Sequence, residues 1–149
     1  LNPGKSTWHF YKLRTMCNEL SYVDYSGMKG ESYVHKDYPS YISSYKSAIA
    51  SSTYYAVIKH LELTAAGCLT FMEVSDKNND AKILGFKDYE NAIFINEKNY
   101  KNKFEEFLSN PNDSLWEKIA NNGRKHTLKN LNNDKSVESL IELIEEVIQ

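Results

Sequence analysis

The sequence predicts an α/β domain, an open parallel sheet with helices on both faces and a closing run of helices. Three observations predict it. Residues 54–66 carry apolar side chains at helical spacing and stop at Gly67, and residues 68–74 follow at once as a largely apolar strand. Helix, glycine and buried strand in that order form the second half of a right-handed crossover between parallel strands. Helical and strand patterns alternate as far as Ile95, and every periodic segment beyond it is helical.

Taken in order, Asn2-Pro3-Gly4 reads as a turn, and Ser6 or Thr7 can cap a helix whose face is Phe10, Leu13, Cys17 and Leu20. Residues 21–25 alternate as a short strand, and residues 28–37 are polar and irregular. Tyr38, Tyr41, Ile42 and Tyr45 recur at helical spacing, with Pro39 near the first helical position, where its missing N–H costs nothing. Residues 46–50 are small and apolar, as suits a central strand. In the 54–66 helix the packed face is Tyr54, Val57, Ile58, Leu61 and Ala65, and Gly67 supplies the left-handed residue that closes it. Glu62 lies close to that face and needs a partner wherever it is covered. Glu62 and Gly67 are both expected at one end of the sheet.

Residues 75–80 and 85–90 read as loops by composition, and residues 92–95 as the last strand. Tyr100, Phe104, Phe107 and Leu108 then share a helix face. Asn110 caps and Pro111 opens the next helix, whose face is Leu115, Trp116, Ile119, Ala120 and Thr127. A final helix from about Lys135 carries the stripe Val137, Leu140, Ile141, Ile144, Val147 and Ile148, which requires a sheet or helix to cover it.

A chain of 149 residues, 41% hydrophobic and 26% charged, has room for one domain, 1–149, with a real core. A folded chain rather than a disordered one is expected. A net charge of -2 makes no electrostatic case for nucleic acid. Cys17 and Cys68 fall inside apolar patterns, which favours buried thiols in a reducing compartment over a disulfide. With no membrane-spanning apolar run and no signal-like opening, a cytoplasmic setting is expected. The chain begins at Leu1, so a fragment of a longer protein is expected. The oligomeric state is not legible.

Four histidines, His9, His35, His60 and His126, share no ligand spacing, and no metal is predicted. The run from Asp76 to Asp80 has the look of a calcium loop, but Ala81 stands where glycine is required and Lys87 where the bidentate glutamate belongs. Gly4-Lys5-Ser6 matches only the tail of a P-loop, lacking its first glycine and preceding strand.

The run Glu62-Leu63-Thr64-Ala65-Ala66-Gly67-Cys68 resembles the segment that marks the C-terminal, donor-binding domain of group 1 glycosyltransferases of the GT-B fold. The nearest likeness is the branch that includes CgeB-like spore-maturation proteins. The likeness extends from about Tyr11 to Thr127. It takes in residues 90–96, the turn Asn110-Pro111-Asn112, and Ile119-Ala120-Asn121-Asn122-Gly123-Arg124.

The resemblance implies a Rossmann-like domain that binds a sugar nucleotide. It implies transfer of the sugar to a glycan, lipid or protein acceptor, as in polysaccharide biosynthesis, with a missing N-terminal acceptor domain and little activity from this chain alone. It assigns Glu62 to the ribose hydroxyls, two of which a carboxylate can accept at once. Gly67 would allow close approach of the ligand, and Arg14, in Tyr11-Lys12-Leu13-Arg14, would present a planar fork to the donor phosphates. Lys59, three residues before Glu62, would reach a diphosphate or pair with Glu62 itself. One departure is plain: many retaining members carry a second glutamate eight residues before the first, and here that position is Tyr54. The alternatives are a non-catalytic α/β binding or assembly module descended from a transferase, and a P-loop nucleotide hydrolase.

Overall fold

The computed structural model describes residues 9–24 and 38–148. Its centre is a three-stranded parallel sheet in the order β1 (Ser47–Ala50), β2 (Leu69–Glu73), β3 (Ile93–Ile95). Ser47 stands opposite Leu69, and Phe71 opposite Ile93. The three strands are those the sequence predicts, each trimmed by a residue or two. All of β2 is buried because both of its faces are covered, which is why apolar residues point to both sides of it, with Thr70 and Glu73 the polar members.

Alternation along β2 divides the core in two. Leu69 and Phe71 join Ile93 and Ile95 beneath helix α1 (Lys12–Asn18) and the Phe104 and Phe107 side chains of the later helix Tyr100–Ser109. Met72 points the other way, into a cluster with Ala50, Ala92 and Phe86. That side is covered by α2 (Tyr38–Ser43), α3 (Lys59–Ala65) and α4 (Asp80–Ile83), through Ile42, Leu63 and Ala81 respectively. Helices on both faces are therefore present, as expected.

The chain continues through α5 (Tyr100–Ser109), α6 (Ser114–Asn130) and α7 (Asn133–Ile148). Helix α6 serves both clusters. Trp116 and Ile119 pack with Phe107 on the first side, while the Thr127 hydroxyl meets the Thr64 hydroxyl of α3 at 2.8 Å on the second.

Several boundaries differ from expectation. Residues 21–24 form turns rather than a strand, with Val23 N–H bonded back to Leu20 O at 3.1 Å; Tyr25 lies outside the described residues, as does the 2–7 turn. Helix α3 starts at Lys59, not at Tyr54. The first helical hydrogen bonds run from His60 N–H to Val57 O at 2.9 Å and from Glu62 N–H to Ile58 O at 3.0 Å, while upstream Ala56 N–H bonds the Asp80 carboxylate at 2.8 Å and Thr53 N–H bonds Phe10 O at 2.9 Å. The buried face of α3 is accordingly His60, Leu63 and Thr64, while Tyr54 and Ile58 are exposed.

A short helix, α4, fills the segment between the two predicted loops and takes only Asp80 from the first. The cap of α6 is Asp113, whose carboxylate accepts from Leu115 N–H at 2.9 Å; Asn110 and Pro111 precede it in the connection. The described side chains of α7, residues 133–146, are all exposed, so among the described residues nothing covers the predicted stripe.

Candidate functional site

In a parallel sheet the carboxyl ends of the strands are where loops converge and ligands bind. Here the segments that leave β1, β2 and β3 surround a cleft of about 520 Å³. Thr53 and Tyr54 come from the first, Glu73 and Lys77 from the second, and Asn96 and Lys98 from the third. His9 and Lys12, at and just before the start of α1, contribute a further wall. Lys12 is held there by an ion pair with Glu97 at 2.6 Å.

Glu73, the last residue of β2, is only 4% exposed. One carboxylate oxygen, Oε2, accepts from the Ser51 hydroxyl at 2.6 Å, and no other hydrogen bond reaches the group among the described residues. Burial pushes its pKa up; the Ser51 hydrogen bond pulls it down, and the Glu97 charge adds to the rise. Next to Ser51, the hydroxyls of Ser52 and Thr53 are buried without partners. A buried polar group with no partner costs about 1–3 kcal/mol, so three successive hydroxyl residues ending at a cleft, two of them unsatisfied, require a reason beyond stability.

Glu62 stands in the first turn of α3, its side chain 34% exposed, and pairs with Lys59 at 2.6 Å. The Lys59 ammonium also donates to the Tyr38 hydroxyl. Burial pulls the Lys59 pKa down, but the hydrogen bonds to Glu62 and Tyr38 outweigh it and leave it raised. An exposed pair of this kind is worth about 0–1 kcal/mol, so a ligand hydroxyl can compete with Lys59 for the carboxylate.

Gly67 has φ of 89°, the left-handed closure that was expected, and a Cβ there would meet only Arg124 Cδ at 3.7 Å. Gly67 and Glu62 do not share one end of the sheet. The crossover helix runs back along the strands, so its first turn belongs to the carboxyl edge, and its terminator leads into the amino end of β2. Gly67 lines a second hollow at that amino edge, beside Lys46, Leu69 and Trp116.

Arg14 lies on α1 with its guanidinium carbon 3.8 Å from the centre of the Tyr11 ring and its Nε buried without a partner. The structure thus brings Lys59 and Glu62 together and leaves Gly67 and Arg14 apart from them. None of the four lines the 520 Å³ cleft. The lining residues that sequence reasoning passed over, Glu73 above all, had one visible signal: a glutamate inside the predicted central strand, where a buried charge requires a partner.

Among the described residues no group of His, Cys, Asp and Glu is arranged to hold a metal ion, and no helix is long and apolar enough to cross a membrane. No protein-family model, curated protein or solved structure matches the chain.

Proposed function

We propose that this chain is the donor-binding domain of a GT-B glycosyltransferase, holding a sugar nucleotide whose sugar passes to a glycan, lipid or protein acceptor. The observation that carries the reading is Glu62 in the first turn of the crossover helix between β1 and β2, followed by Ala65, Ala66 and a left-handed Gly67. A carboxylate there is at the carboxyl edge of a parallel sheet, is a third exposed, and is committed only to a weak ion pair. It is therefore available to two neighbouring ribose hydroxyls. Lys59 then becomes free to face a diphosphate.

The test is titration of nucleoside diphosphates against the chain, followed by melting temperature. A ligand at about 100 times its dissociation constant adds about 2.7 kcal/mol. Glu62→Gln keeps the shape and removes the charge, and is expected to weaken binding by about 1–3 kcal/mol with the fold intact. A mutant that binds as well as the parent but melts much earlier would make Glu62 structural and end this reading.

A second reading, a non-catalytic α/β binding or assembly module, is favoured by Tyr54. It occupies the place of the second family glutamate and is 43% exposed beside Phe10, with ring centres 5.8 Å apart. The P-loop reading rests on Gly4-Lys5-Ser6, which lie outside the described residues.

A further inference from the structure

We propose that Glu73 is a specificity-determining residue of the cleft above β1, β2 and β3, accepting hydrogen bonds from the hydroxyls of a sugar carried by the donor. The inference rests on the donor-binding reading and adds to it the group that reads the sugar. Four observations converge. Glu73 is almost wholly buried yet borders a cleft of about 520 Å³, a volume suited to a small molecule. Ser51 fixes one of its oxygens at 2.6 Å and leaves the other without a partner among the described residues. Thr53, also on the cleft and 8% exposed, has an unpartnered hydroxyl. The exposed ring of Tyr54 supplies an apolar wall on the same side.

The charges of the lining select against the other ligand classes. Glu73, Asp76 and Glu97 face Lys12, Lys77 and Lys98 around one opening, so neither sign dominates. A phosphate set against Glu73 would meet a carboxylate in a poorly hydrated place, where like charges repel most strongly. A ligand ammonium would meet the lysines. A neutral polyol meets neither penalty, because its hydroxyls donate to the carboxylate and accept from Thr53. Such a hydroxyl also restores to Glu73 the hydrogen bonding that burial removes, which stabilises the carboxylate form.

The experiment compares the parent chain with Glu73→Gln and Ser51→Ala. Each is titrated with uridine and guanosine diphosphates and with the same diphosphates carrying a hexose. The parent is expected to bind one hexose-bearing form at least tenfold more tightly than its bare diphosphate, which is about 1.4 kcal/mol. Glu73→Gln is expected to erase that ratio, keep the diphosphate affinity, and melt above the parent at neutral pH because a buried charge is gone. Ser51→Ala releases the carboxyl from its anchor and is expected to reduce the ratio several-fold. A ratio untouched by both substitutions, or a parent that binds both forms equally, overturns the role of Glu73 while leaving the donor-binding reading in place. So does a Glu73→Gln chain that melts below the parent and weakens both ligands together. A parent that binds no diphosphate at all ends the donor-binding reading and this inference with it.

Discussion

Gly123 sits inside the seventeen-residue helix α6, where glycine ordinarily costs about 1 kcal/mol relative to alanine. Its neighbours explain it. A Cβ at that position would come within 2.5 Å of the Asn91 carbonyl oxygen, a backbone atom in a loop tied by its own hydrogen bonds. Gly123→Ala is therefore expected to destabilise the chain by about 1–3 kcal/mol in urea unfolding despite the better helix propensity, whereas the exposed Asn121→Ala should be neutral or slightly stabilising. If Gly123→Ala matched the parent, the loop at Asn91 would have to yield freely. The packing against Asn91 supplies a physical reason for glycine at this position.

His60 makes a second residue-scale claim. It is fully buried, its Nδ1 is 3.0 Å from Val57 O, and its Nε2 has no partner. Burial lowers its pKa, against smaller opposing effects of the Val57 hydrogen bond and the Asp80 charge. Below about pH 6.5 the unfolded chain takes up a proton that the folded chain resists, so this contribution to stability is complete above that pH and is lost as pH falls below it. Unfolding free energies at pH 7.5 and 5.5 should fall less steeply for His60→Gln than for the parent. Equal slopes would assign the acid loss to other groups.

At the scale of elements, the three parallel strands were legible because burial on both faces leaves an apolar run with little ambiguity, as in Leu69-Thr70-Phe71-Met72. Helix starts were less so, because apolar spacing does not by itself show which side chains are packed. Tyr54, Val57 and Ile58 have helical spacing, but Tyr54 and Ile58 are exposed and the first helical hydrogen bonds go to the Val57 and Ile58 carbonyls, so the helix starts at Lys59. The cleft was hidden for a related reason: its walls come from three loops and from α1, and no spacing in one sequence relates Lys12 to Glu97 or Ser51 to Glu73. For α6, the Asn110-Pro111 pattern offered a cap three residues early. Asp113→Ala should cost about 1 kcal/mol, since its carboxylate holds Leu115 N–H. Asn110→Ala should cost clearly less, because it keeps the backbone oxygen that the Trp116 indole bonds and removes only a long, exposed hydrogen bond from the Asn110 amide to Asp113 Oδ2 at 3.3 Å. The reverse order would restore Asn110 as the cap.

For the molecule as a whole, the two clusters flanking the sheet are built from residues between Leu13 and Leu131, and among the described residues α7 adds none to either. Its Val137, Leu140, Ile141 and Ile144 are 48–55% exposed on one side of the helix, and Asp134, Glu138, Glu142 and Glu145 occupy an adjoining side. An apolar stripe left open in this way does not hold a helix to its own domain, because burial of an amphipathic face supplies most of a helix's stability in a folded protein. A chain ending at Asn132 is thus expected to keep its cooperative unfolding and to melt within about 4 °C of the full chain, a shift of about 1 kcal/mol or less. Sedimentation of both chains checks the other half of the argument. If the full chain alone self-associates and loses much more than 4 °C on truncation, the stripe is covered in solution by a second copy, and α7 belongs to the folded unit after all.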